Sequence, residues 1–171
     1  AATLEAFGRV DVLINCAGYG IWGPLETMRL EDINGQMVTN YFGTVLFVKE
    51  CIESLRASRG CIINIASLAG LVGVPKMAAY SASKHAVVGL SESLRAELAH
   101  EGISVSVVCP GKIKTDFFNN HSFVQVAWAH DGSGAMPSDV ASVVDDAIRE
   151  RAFLYTVPRH RRLQILIGRL L

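Results

Sequence analysis

Two hydrophobic patterns alternate along this chain. Short unbroken apolar runs bounded by turn residues occupy residues 11–17 (DVLINCA), 61–66 (CIINIA) and 103–109 (ISVSVVC). Such runs are too short for helices and predict buried strands. Between them the period lengthens. Within residues 37–55, Val38, Tyr41, Phe42, Val45, Val48, Ile52 and Leu55 recur at helical spacing, and within 78–99 Ala82, Ala86, Val87, Leu90, Leu94 and Leu98 mark the apolar side of a long helix. Gly102 follows as the expected left-handed C-cap. Residues 30–34 predict a short helix, and 138–151 another with Ser138 or Asp139 as N-cap. Residues 153–157 predict a fourth strand and 158–171 a terminal helix. The opening, Leu4 to Gly8, reads as the tail of a helix. Strands alternating with helices imply βαβ units: an α/β fold with a mostly parallel, doubly covered sheet.

Composition narrows the function little. A chain of 171 residues predicts a single domain, 1–171, with room for a sizeable core. Half the residues are hydrophobic and 19% are charged, which excludes a disordered chain. Sixteen basic and 16 acidic residues cancel, so bulk charge recruits neither nucleic acid nor an anionic membrane. No signal-like segment or bilayer-length apolar run is evident, and a cytoplasmic protein is expected. Cys16, Cys51, Cys61 and Cys109 form no CxxC pair and lie in apolar segments, where small buried thiols in a reducing compartment are expected. His85, His100, His121, His130 and His160 lack ligand spacing, so no metal is expected and surface or structural roles are.

One motif misleads. Gly18-Tyr19-Gly20-Ile21-Trp22-Gly23 satisfies GxGxxG after a predicted strand, the pattern of a dinucleotide loop. That loop requires its third glycine to open an apolar helix, with an acidic residue some 20 positions on. Here Gly23 precedes Pro24 and a polar stretch, and the later region is helix interior (Phe42, Gly43, Thr44). The pattern is read as a decoy.

Chemistry concentrates elsewhere. Tyr80-Ser81-Ala82-Ser83-Lys84 sets a phenol and an ammonium on one helical face. A tyrosine with a free pKa of about 10 is a poor base near neutrality, and a neighbouring positive charge favours its phenolate. The pair alone is weak, since ordinary amphipathic helices carry it too. Ser67, however, ends the 61–66 strand at the carboxyl edge, where open parallel sheets bind ligands. Asn15 to Gly18 and Pro110-Gly111 end the flanking strands in the same way.

Taken together, Asn15-Cys16-Ala17-Gly18, Asn40, Ser67, the Tyr80 to Lys84 segment and Pro110-Gly111-Lys112-Ile113-Lys114-Thr115 resemble the short-chain dehydrogenase/reductase family in order and spacing, over about residues 6–155. One departure is Cys16, where the family usually has a second Asn. The resemblance implies a Rossmann-like doubly wound sheet and NAD or NADP as cofactor. It implies Tyr80 as acid/base, Lys84 lowering the Tyr80 pKa and holding the nicotinamide ribose, Ser67 as hydrogen-bond donor to the substrate oxygen, and Asn40 anchoring a relay water. Asn15, Ala17 and Gly18 would lie along the adenosine side. Pro110 and Gly111, with the Ile113 backbone and Thr115, would hold the nicotinamide end.

The resemblance also implies that the fold here is incomplete. In the family the glycine-rich phosphate loop, the first strands and the NAD-or-NADP selectivity residue precede the Asn-containing strand, so this chain is expected to expose an apolar sheet edge and to bind cofactor poorly by itself. The implied substrate is a small alcohol or carbonyl compound, hydrophobic if Phe117, Phe118, Phe123, Val126 and Trp128 in the 116–136 loop cover it. Plain packing is the alternative for that loop. A homodimer or homotetramer would pair through the helices carrying Asn40 and Tyr80. The basic stretch Arg159 to Arg162 before Ile165 is expected to serve a pocket or subunit interface rather than a membrane. The rival reading is a non-catalytic relative binding a cofactor or partner, or an inactive fragment.

Overall fold

Four Val- and Ile-rich segments form one parallel sheet in the computed structural model, which describes residues 2–158. The strands are β1 (Val12–Asn15), β2 (Cys61–Ile65), β3 (Ser104–Pro110) and β4 (Leu154–Val157), in spatial order β1-β2-β3-β4. Asn15 is level with Asn64, Ile65 with Val108 and Pro110 with Val157, so all carboxyl ends meet at one edge. The helices are α1 (Ala2–Phe7), α2 (Leu30–Met37), α3 (Gly43–Ser58), α4 (Ala78–Leu98) and α5 (Pro137–Glu150).

Alternation along each strand divides the core. Leu13, Ile62 and Val105 pack with Val48 and Leu55 of α3 and Leu98 of α4, whereas Ile63, Val108 and Val157 pack with Val143 and Ala147 of α5. Burying one such Ile or Val contributes roughly 1.5–3 kcal/mol. The expectation of a buried first strand needs correction: only Leu13 points inward, while Val12 and Ile14 are 36% and 46% exposed. β1 is an edge strand with an open outer face, which agrees with the exposed apolar edge expected of this chain.

The helical pattern at 37–55 also resolves differently. α2 runs into a wider π-helical turn, Val38–Phe42, and on into α3, which ends at a left-handed Arg59. Polar Gln36, Asn40 and Thr44 face inward, while Val38, Phe42, Leu46 and Phe47 are more than half exposed. On α4, Tyr80, Ser83, Lys84 and Ser91 are buried, whereas Ala82 is exposed and Leu90 and Leu94 are half-buried. In both helices the inward face is partly polar because it carries the site. Gly102 has φ 78° after a short turn, as a left-handed cap requires. The N-cap of α5 is Met136, not Ser138 or Asp139. Pro137 occupies the first helical position, and the Asp139 carboxylate accepts from the Met136 N–H at 2.7 Å. The helix expected at 158–171 and the basic stretch lie outside the described residues, apart from Pro158. No helix among the described residues is long and apolar enough to cross a membrane.

Candidate active site

β2 delivers Ser67 to the carboxyl edge in extended conformation. Its hydroxyl donates to the Pro110 carbonyl at 3.4 Å and accepts from the Ala69 N–H at 3.1 Å, capping the turn Leu68–Gly70. Gly70 lets that turn press against α4: a Cβ there would lie 2.7 Å from the Lys84 carbonyl oxygen. Ser67 is thereby brought to Tyr80 and Lys84, which stand one helical turn apart and are 7% and 4% exposed. The Lys84 Nζ donates to the Ile65 carbonyl at 2.8 Å and lies 6.0 Å from the Tyr80 ring centroid.

Burial dominates the protonation of both groups. It pushes the Tyr80 phenol up to about 12, with a Ser67 hydrogen bond pulling the other way, and the Lys84 ammonium down to about 8. Burial thus keeps the phenol protonated across the neutral range.

Asn40 sits behind these groups, 1% exposed. Its Oδ1 accepts from the Tyr19 N–H at 3.0 Å, and its Nδ2 donates to the Tyr19 carbonyl and the Ser83 hydroxyl, each at 2.9 Å. Gly18 separates it from Lys84: a Cβ on Gly18 would meet the Asn40 Oδ1 at 3.0 Å and the Lys84 Nζ at 3.1 Å. Gly20 is confined similarly by Tyr80, Phe117 and Met77, and no helix starts at Gly23. The GxGxxG pattern therefore marks a loop that must pass close to buried side chains.

A cleft of about 290 Å³ opens at this edge. Of the residues expected in the site, Gly18, Ser67, Tyr80, Lys84, Pro110, Gly111, Ile113 and Thr115 line it. Three do not. Asn40 lies behind Gly18, Ala17 is exposed outside the lining, and the Asn15 amide donates to the Asn64 Oδ1 at 2.8 Å, which continues into the buried Ser91. Cys16, expected to be buried, is exposed and lines the cleft, while Cys61 and Cys109 are buried and Cys51 is half-buried. Its place just beyond the end of β1 was the available signal.

The remaining wall is aromatic. Phe117, Phe118 and Trp128 line the cleft, with Phe117 5.5 Å from Tyr80 and Trp128 5.4 Å from Trp22, centroid to centroid. Phe123, fully buried, packs beneath Phe118 at 5.1 Å. At 18 and 111 a Cβ would meet Lys84 at 3.1 Å or Leu68 at 3.2 Å, so glycine there lets the chain pass close to those side chains. The cleft so bounded, lined by Lys84, Ser67 and Thr115, offers hydrogen-bond donors that fit the nicotinamide-ribose end of a dinucleotide.

The family model described as short chain dehydrogenase matches residues 1–123. The chain belongs to the short-chain dehydrogenase/reductase family. It is 46% identical over 120 residues to a 3-ketodihydrosphingosine reductase of Bacteroides thetaiotaomicron, covering 70% of this chain and 45% of that protein. It superposes with a TM-score of 0.87 and 29% identity on a short-chain dehydrogenase/reductase from Burkholderia phymatum in complex with NAD, over 96% of this chain and 66% of that one. A structure of ElxO with NADP bound matches with a TM-score of 0.77 and 28% identity, over 91% of this chain and 68% of that one. The chain spans about half the length of the curated relatives it matches.

Proposed function

We propose that this chain carries the reacting half of an NAD(P)-dependent oxidoreductase that interconverts an alcohol with a ketone or aldehyde. The observation that carries this reading is the convergence of Ser67, Tyr80 and Lys84 on one cleft at the carboxyl edge of the sheet. The bound nicotinamides of the Burkholderia enzyme and of ElxO support the cofactor class. Lys84, Ile113 and Thr115, with Pro110 and Gly111, would hold the nicotinamide end, and Asn15, Ala17 and Gly18 the adenosine side. When bound, that ring supplies or accepts a hydride.

This chain's own residues handle the proton and the oxygen. Ser67 donates a hydrogen bond to the substrate oxygen and steadies the charge that develops there. Tyr80 gives its proton to that oxygen in reduction and takes it back in oxidation. Burial keeps the phenol protonated near neutrality, the form that donates in carbonyl reduction, and the same oxygen takes the proton back in alcohol oxidation. Lys84, released from full protonation at about 8, passes protons inward, and Asn40 behind it holds the loop at Gly18 and Tyr19 and anchors the relay water. The aromatic wall favours a carbonyl compound with an apolar substituent, in line with the keto substrate named for the Bacteroides relative. Exposed Val38, Phe42, Leu46 and Phe47 support pairing of two copies through the helix that carries Asn40.

The test is NAD(P)H-coupled turnover of a panel of ketones by the protein that carries this chain, with Tyr80→Phe alongside. Turnover that vanishes in the variant supports the assignment. Cofactor binding without any turnover in the wild type would favour a non-catalytic relative, and undiminished turnover in Tyr80→Phe would remove Tyr80 as acid/base.

A further inference from the structure

Lys112 is given no role by the proton chemistry, yet it lies on the strand-end segment between Gly111 and Ile113. Its side chain is 18% exposed. An ammonium has three hydrogens to donate, and here it meets three acceptors from one loop: the Trp128 carbonyl, the Asp131 carboxylate at 2.5 Å and the Ser133 hydroxyl at 3.3 Å. It also stands 6.0 Å from the Trp128 ring centroid, within cation–π range. Asp131 accepts in addition from the Ser133 N–H at 2.8 Å. Its carboxyl is held well below the usual carboxylate range, chiefly by Lys112, so the ion pair persists into acid.

The backbones are joined beneath this cluster. The Ala135 N–H donates to the Lys112 carbonyl and the Lys114 N–H to the Ala135 carbonyl, each at 3.0 Å, around a short parallel bridge of Ile113 with Ala135. Gly134, at φ 119°, makes the approach feasible, since a Cβ there would come within 2.9 Å of the Lys112 carbonyl. The loop so held presents Trp128 to the cleft, against Trp22 and Phe118.

We propose that Lys112 is a positioning residue that latches the aromatic wall to the strand end bearing Ile113 and Thr115, and so sets the width of the apolar side of the cleft. The consequence for substrate choice rests on the oxidoreductase reading above; the latch itself does not. Without the ammonium, Trp128 loses its tether and the wall swings open. A substrate with a bulky apolar substituent then loses contact, whereas one too small to reach the wall is unaffected.

Two measurements separate the latch from the chemistry. In a Trp22→Phe background Trp128 is the sole indole, since the chain has two tryptophans. Lys112→Met is expected to red-shift its emission and raise its quenching by acrylamide, Asp131→Asn to do so in part, and the double variant no more than Lys112→Met alone. Exposed Lys114→Met serves as the charge-matched control and leaves the emission unchanged. In the turning-over protein, Lys112→Met is expected to raise KM for a bulky apolar ketone about tenfold, with kcat retained and a small ketone unaffected. Lys112→Arg restores part of the loss. Wild-type emission in Lys112→Met, or an equal loss of kcat on both ketones, overturns the latch. If the wild type turns over no alcohol or carbonyl compound, the oxidoreductase reading fails while the emission arm still decides the latch.

Discussion

Two groups of side chains line the same cleft and are secured by different forces. Ser67 caps the turn just after β2, Tyr80 and Lys84 sit on α4, and Ser67, Lys84 and the supporting Asn40 make directional hydrogen bonds to backbone atoms. Phe117, Phe118 and Trp128 ride on short turns after β3 and meet one another through ring contacts at 5.0–5.5 Å, with Lys112 as a polar tie on the Trp128 loop, and Trp128 is still 39% exposed. Directional bonds fail when one partner goes, because the other is left buried and unmatched. Ring contacts carry weaker geometric demands, and neighbours can shift to fill a gap. On the proposed function, reaction geometry falls on the rigid side and substrate fit on the adaptable one.

The sharpest way to break this contrast is Tyr80→Phe. It should lower ketone turnover by about 10²–10⁴-fold with little change in unfolding midpoint, measured by NAD(P)H absorbance and urea titration. Phe123→Ala should give the opposite profile. Removing a fully buried ring beneath the aromatic wall should cost about 3–5 kcal/mol of stability in the same titration. If that variant keeps its stability, the wall is not a packed unit.

Protonation of Lys84 gives a third test. Its pKa is about 8 in the folded chain against 10.5 for the free side chain, so the unfolded chain binds the proton more tightly. Stability from this group is complete above 10.5 and is lost as pH falls to about 8. Relative to Lys84→Met, the wild type should therefore gain on the order of 3 kcal/mol between pH 8 and 10.5. A flat difference would mean that Lys84 is better solvated than its burial indicates. The smallest effect is expected from Asn40→Ala, which frees the Tyr19 backbone groups at a cost of about 2 kcal/mol. Stability at the wild-type level would show that the loop at Gly18 holds without that clamp.

Much of this arrangement was legible in the chain because it is local. The apolar runs became β1 to β4, and the Tyr80–Lys84 spacing put both groups on one buried helical face. The readings that failed depended on each residue's neighbours, near or far, more than on its own type. Periodicity placed Val38 and Phe42 inside, whereas the interior row is Gln36, Asn40 and Thr44, since Tyr19 and Ser83 need Asn40 there. Cys16 looked like a buried apolar residue until β1 proved to end before it. At the α5 terminus, preferences at the cap favoured Ser138 or Asp139, but Pro137 already fits the first helical position and Asp139 serves from three residues beyond Met136. The three acceptors around Lys112 come from 16 to 21 residues away, beyond any local pattern.

The stretch around Asn40 is constrained in length as well as in sequence. Gln36, Asn40, Thr44 and Val48 succeed one another in steps of four, and all face inward. On an uninterrupted α-helix each such step overshoots a full turn by about 40°, so Val48 would be carried about 120° from Gln36. The loose turn at Val38–Phe42 absorbs much of that drift in one place. Deleting a single residue there would leave a sound helix aimed wrongly, with Asn40 and Leu55 competing for the interior, while exchanges on the outer side leave the aim intact. Residue count, more than residue type, is what this segment has to preserve.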